Sequence, residues 1–521
     1  MVIRSSSSSG IPFGDNAGRP ANPGTGQLYS NGESQRLELY TASESWENIV
    51  QEVPGVSSIS GNYSEATDSG VITIYGTNFV NGAFATAIGS NGAQINANST
   101  VYNSLVQLTA TFTGLSNQYE PYDIKVTNPS NLFGIIPDAL YVNASPVWVT
   151  SSGSLGTFNE RVSITLSALS ASDSDSTVTF ALQSGSSLPS GVSLNSTTGV
   201  ISGTLPNITT DTTYTFTINA TDGVNTIPRT FSITSLAVVT SEILVVAGGG
   251  GGSSIIGGGG GAGGVISSSS TVFRRATSIT VTVGAGGRGG YGYTGGNDTE
   301  AGYPGYNSVL GSNVAIGGGG TVGWDTTAVP ALSGQLSWTR NGGSGGGGSG
   351  TNGNSNYQTG GTGTSGQGNN GANGSDPNGA GGGGAGAAGS GLNGGIGIQS
   401  SITGTPTYYG GGGGGGRRIS GAGNGPSSGG SGGGGAGMSG STFSSNQNGS
   451  ANTGGGGGGG NYSGPSAGDQ AGGNGGSGVV IIAYPDTESA LTVSNGLTYD
   501  QPTRSGYRVY RFTAGTGTIT F

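Results

Sequence analysis

The side chains of this 521-residue chain that could do chemistry are carboxylates, aromatics and arginines, because histidine and cysteine are both absent. That absence removes the commonest general base, the commonest metal ligand, thiolate zinc sites and disulfides together. Asp173 and Asp175 sit two apart in a serine-rich loop, with Asp222 further on. Hard oxygen donors of this kind can hold calcium, although loop acids are ordinarily just solvated. Beyond residue 240 the acids are scattered, with Asp298 and Glu300 two apart, whereas glycan cleavage needs two carboxylates facing each other across a cleft. Glycine fingerprints arise here by chance, and a phosphate loop also needs Gly-Lys, which never occurs. The expectation is therefore no enzyme and no cofactor.

Recognition is the chemistry that remains. Tyr, Trp and Arg dominate binding hot spots, and between residues 291 and 462 they are expected in polar inserts: Tyr303, Tyr306 and Arg340 among them, and as receptor-contact candidates Tyr291, Tyr293, Trp324, Trp338, Tyr357, Tyr408, Tyr409, Arg417, Arg418 and Tyr462. Ring faces suit sugars, and guanidinium suits phosphate or carboxylate. Their alternative role is to cover the sides of whatever the glycines build.

Those inserts interrupt runs of glycine, notably 248–252, 257–261, 317–320, 345–348, 381–384, 410–416, 432–435 and 454–460, within a total of 115 glycines. Ordering a residue costs about 1–2 kcal/mol, most for glycine, with no side chain to offset it. Such runs are either flexible tether or a close-packed lattice of polyproline-II-like helices whose outward N–H and C=O groups bond one another. The aromatic inserts favour the lattice. Residues 243–246 and 479–482 are apolar strands that enclose it. Since a run that reverses at each insert sends alternate inserts to opposite ends, 402–409 and 417–426 are expected at opposite ends of run 410–416.

Charge divides the chain as well. Residues 1–240 carry six basic and sixteen acidic side chains, and the rest carries nine of each. A neutral glycine region without lysine does not suit nucleic acid, and no stretch reaches the ~18 apolar residues of a membrane helix. No apolar secretory core follows Arg4.

In order, residues 1–53 read as a small β module with too few apolar anchors to close a core alone. Residues 54–144 alternate in short runs such as Val71-Ile72-Thr73-Ile74-Tyr75, the pattern of a β-sandwich, and 145–238 repeat it. Residues 239–485 hold the glycine field, and 486–521 return to strands expected to complete its base. The whole is all-β: two immunoglobulin-like sandwiches in series plus a polyglycine-II domain on a small sheet.

Several motifs carry resemblances. Arg19-Pro20-Ala21-Asn22-Pro23 with Gln35-Arg36-Leu37-Glu38-Leu39-Tyr40 and Trp46-Glu47-Asn48-Ile49 resembles a module near the N-termini of bacteriophage fibre proteins, particularly of phages of cyanobacteria. Gly76-Thr77-Asn78-Phe79 and Lys125-Val126-Thr127-Asn128-Pro129 are similar to IPT/TIG domains. Leu188-Pro189-Ser190-Gly191, Thr198-Gly199-Val200-Ile201-Ser202-Gly203 and Thr221-Asp222-Gly223 are similar to putative-Ig, cadherin-like modules. The glycine field resembles the polyglycine-II domains of phage tail-fibre adhesins, although there a segment like 507–521 precedes the opening strand. These resemblances imply a homotrimeric virion protein of the tail or fibre, joined to other virion proteins through its N-terminus and presenting glycine-domain loops to a host surface glycan or protein. The rival readings are a purely structural fibre or decoration protein and a bacterial cell-surface adhesin.

Overall fold

The computed structural model describes all residues but 1–12, 15–16, 18, 32–35, 49–51, 292–300, 324–339, 352–357, 419–425, 439–446 and 463–470. The chain divides into two compact units, one of residues 1–207 with 212–235 and one of 208–211 with 236–521.

In the first unit, alternation decides which faces are buried. Ile72 and Ile74 point inward while Val71 and Tyr75 face out, and Leu108, Ala110 and Phe112 do the same on the strand paired with it. Strands Ser69–Thr77 and Gln107–Phe112 belong to one sheet, and Tyr122–Thr127 and Phe84–Ile88 to a second. The two inner faces share one core with Phe79, Ile124 and Val126. The second sandwich pairs Thr212–Thr221 with Thr226–Leu236 and closes over Trp148, whose ring meets Phe180 and Phe231 at 5.5 Å each. Its indole N–H donates to the Ile227 carbonyl at 2.9 Å, so the one polar atom of a large buried ring is satisfied. Ahead of both sandwiches, a four-stranded sheet holds Glu38 buried between Arg19, which forks onto it at 2.7 and 2.8 Å, and the Asn31 amide at 2.9 Å.

The second unit is a nine-stranded sheet with a glycine lattice growing from it. The opening strand Val238–Val246 and the closing strand Val479–Pro485 pair antiparallel, and their continuous apolar runs are buried on both faces. The C-terminal strand Tyr507–Thr520 pairs with the closing strand through its first half and with Ile279–Thr282 through its second. It lies inside the sheet although it comes last in the chain, because an antiparallel neighbour needs only to follow the closing strand. Gly515 supplies the break between the halves. Its φ is +95°, and a Cβ there would meet the Gly496 carbonyl oxygen at 1.9 Å.

Beyond the opening strand, the hydrogen bonds rotate with a period of three. Gly248 and Gly251 donate to the carbonyls of Tyr306 and Tyr303, Gly249 and Gly252 to those of Gly476 and Gly473, and Gly250 to that of Gly261, all at 2.8–3.0 Å. Three residues per turn with outward bonds to separate neighbours is the polyproline-II geometry, here written in glycine. Each of these N–H groups finds a carbonyl on another segment, and some others, such as those of Gly284 and Gly289, find the side-chain oxygens of Ser308 and Asn474.

Candidate functional site

The lattice has two ends. At the sheet end, Ala247 donates to Gly264, Gly263 to Gly454, Gly410 to Thr453 and Gly478 to Gly284. At the far end, Gly257 donates to Gly460, Gly416 to Gly257, Gly379 to Gly416, and Gly472 to Gly290. The described residues that flank 292–300, 352–357, 419–425, 439–446 and 463–470 belong to this far end, as does Gly323 ahead of 324–339. Tyr291, Thr351, Arg418, Met438 and Tyr462 are among these flanking residues. The reversal Ser253–Gly257 is there too, with buried Ile255 and Ile256 at φ +45° and +49°.

Run 410–416 separates its flanks as expected. Tyr408 and Tyr409 end the hairpin that pairs Ile398–Ser400 with Thr407–Tyr409 at the sheet end, and Arg417 and Arg418 lie at the far end. Tyr409 is a correction: it is 3% exposed and packs with Val265, Ile402 and Val509, and burial pushes its hydroxyl above the ordinary phenol range. It is a core residue, whereas Tyr408, the adjacent residue on the opposite face of the strand, is exposed. Such alternation assigns neighbours in a strand to opposite roles.

At the far end Arg417 bridges to Asn378, Arg418 to Tyr462, and the Tyr462 amide donates to the Arg417 carbonyl at 3.3 Å. Three of the expected contact residues are thus brought together at one place. Arg417 Nε is buried with no hydrogen-bond partner among the described residues. Tyr293, Trp324, Trp338 and Tyr357 lie outside the described residues.

The expected confinement of aromatics to inserts is also corrected. Tyr303 and Tyr306 stand on the outer side of a lattice segment that hydrogen-bonds to the segment carrying Ala285 and Arg288. The Arg288 guanidinium lies 4.1 Å from the Tyr291 ring centre and 5.2 Å from that of Tyr303, and donates to the Tyr291 hydroxyl. The sequence reading passed over Arg288. The signal available was the spacing of three in 285, 288, 291 and in 303, 306, which puts side chains on one face of a three-residue helix.

Of the three carboxylates considered for calcium, Asp173 and Asp222 cap local turns and Asp175 accepts a bond from a distant amide. Asp173 accepts from the amides of Asp175 and Ser176 at 2.9 Å, Asp175 from Ala144 at 2.8 Å, and Asp222 from Val224 and Asn225 at 2.7 and 2.6 Å. Among the described residues, no three acidic groups are placed to hold a metal ion.

Residues 225–485, half of the chain, match the family model described as "Glycine-rich domain". The chain belongs to the glycine-rich domain family. Its family match begins just ahead of the last strand of the second sandwich and ends with the closing strand, so it takes in that strand, the lattice and both enclosing strands. Residues 145–236 match the "Putative Ig domain" family model. Solved structures similar to part of this glycine-rich domain protein include an I-band fragment of titin, I67–I69, at 12% identity over 36% of this chain and 68% of that one, with a TM-score of 0.23. DIP-gamma IG1+IG2 aligns at 14% identity over 36% and 99%, TM-score 0.21, and Drosophila N-cadherin EC1–3 at 12% over 36% and 69%, TM-score 0.17. No curated protein matches the chain.

Proposed function

We propose that this is a tail-fibre adhesin of a bacteriophage, joined to the virion through its N-terminal module and presenting the far end of the glycine lattice to a host surface glycan or protein. The observation that carries the reading is that the described residues flanking 292–300, 352–357, 419–425, 439–446 and 463–470 gather at the end opposite the sheet. A lattice held mainly by backbone hydrogen bonds between its own segments leaves the content of its far-end inserts free to vary, so recognition can change there without disturbing the core. Arg417, Arg418 and Tyr462 are the described residues best placed to touch a receptor, the arginines taking phosphate or carboxylate and the tyrosine stacking on a sugar. The sandwiches serve as spacers and the protein acts as a homotrimer.

The test is binding of the full-length protein to intact bacteria, compared with the Arg417→Ala/Arg418→Ala double variant and with a protein whose residues 419–425 are replaced by a glycine-serine segment. Loss of cell binding at an unchanged melting temperature is the expected result. Undiminished binding by both variants would overturn the far-end reading, and if the unaltered protein binds no cells while copurifying with virions, the purely structural role takes its place.

A further inference from the structure

The side of the lattice presents a second surface, which runs from the sheet end at Ala285 and meets the far end at Tyr291. Ala285, Arg288 and Tyr291 are exposed at every third residue while glycines 287, 289 and 290 between them are buried, and Tyr303 and Tyr306 repeat the spacing on the adjoining segment. The two segments are hydrogen-bonded, Tyr303 N–H to the Arg288 carbonyl at 2.8 Å and Tyr306 N–H to the Ala285 carbonyl at 2.9 Å, so the side chains share one rigid face. Tyr291, Tyr303 and Tyr306 are 53%, 45% and 67% exposed. Below Tyr306 the strip runs into an open hollow of about 630 Å³ whose walls include Val283, Gly305, Asn307 and Val309.

We infer that this strip is a binding platform for an extended, uronate-bearing polysaccharide. Three residues of a polyproline-II helix advance ~9.3 Å, so Tyr303 and Tyr306 offer ring faces at a separation suited to every second sugar of an extended chain. Aromatic faces take the C–H faces of sugar rings, and three tyrosines that remain half exposed on a folded protein are not consumed by its core. The Arg288 guanidinium lies among them, held over Tyr291, and a fixed guanidinium recognises a planar carboxylate. On the 285–291 segment every residue between the exposed positions is a glycine, so no Cβ rises between Ala285, Arg288 and Tyr291. From Ala285 to Tyr291 the strip is ~19 Å long, enough for an oligosaccharide. Nothing in this inference depends on the far-end reading.

The experiment is titration calorimetry of the full-length protein with hexasaccharides of galacturonate and of mannuronate, with neutral cellohexaose alongside. At least one uronate should bind, with affinity lowered tenfold or more by Tyr303→Ala/Tyr306→Ala, and lowered by Arg288→Gln together with its salt dependence, while the melting temperature stays the same. Arg417→Ala/Arg418→Ala should leave this binding intact. The inference is overturned if neither uronate binds below about 1 mM, if the tyrosine variant binds as well as the parent, or if cellohexaose binds as tightly as the acids. It is likewise overturned if the tyrosine variant changes oligomeric mass in light scattering, which would make the strip a contact between copies of the chain.

Discussion

Gly413→Ala should be a costly single-methyl addition, as at other packed positions of the lattice. The Gly413 amide donates to the Gly260 carbonyl at 2.9 Å, the Gly260 amide donates to the Gly457 carbonyl at 2.7 Å, and the Gly413 carbonyl accepts from Gly382 at 2.9 Å. A Cβ on Gly413 would lie 2.0 Å from the Gly457 oxygen and 3.1 Å from the Gly260 nitrogen. Restoring an ordinary carbon–oxygen contact requires the segments to part by more than 1 Å, roughly the displacement that takes a hydrogen bond out of range. Two buried bonds at about 1–3 kcal/mol each would be lost, giving about 2–6 kcal/mol against a typical total of about 5–15 kcal/mol. In a unit of this size that lowers the melting temperature by about 4–20 °C. Gly391→Ala is the comparison. It has open space around it and φ +54°, so only the left-handed penalty of about 1–2 kcal/mol applies. Scanning calorimetry of the two variants decides: a Gly413→Ala transition within error of the parent, or no lower than that of Gly391→Ala, would refute the close-packed lattice.

Three further expectations follow from particular contacts. Tyr409→Ala, which empties a buried ring site, should lose about 3–5 kcal/mol in urea titrations, whereas Tyr408→Ala should leave the midpoint unchanged; equal effects would contradict the burial assignment. Glu242 is held below its usual carboxylate range, first by the hydrogen bonds it accepts from Arg504 at 2.7 and 2.9 Å. Because its folded-state pKa is depressed, this contribution is complete above the ordinary Glu value of 4.5 and lost as pH falls through the lower folded value, so Glu242→Gln should flatten the acid side of a melting-temperature profile below that point. Finally, light scattering of a chain starting at Pro54 should show a smaller multiple of its own mass than the full chain does, and equal multiples would remove the N-terminal module as the assembly element.

What the sequence determined by itself is the class of each segment and the physics of the glycine field. Alternation over 71–75 specified a half-buried strand, the doubly apolar runs 243–246 and 479–482 specified central ones, and glycine runs broken by aromatics favoured a lattice, because each pattern is a local period that one neighbouring layer can satisfy. The separation of Tyr408 from Arg417 across run 410–416 was legible for the same reason, being a matter of run length and reversal. Only the tertiary structure decided which segment neighbours which. Gly250, Gly382 and Gly473 are chemically identical, so nothing local tells Gly260 to accept from Gly413; the choice is made by the whole set of bonds being satisfied at once. The same holds for Tyr409, buried by a hydrophobic contact with Val509 a hundred residues away in sequence, and for Arg288, whose two tyrosines come from separate segments. Contacts between distant positions carry no signature in either one's neighbourhood, and those contacts are what turn a field of glycine into a packed lattice.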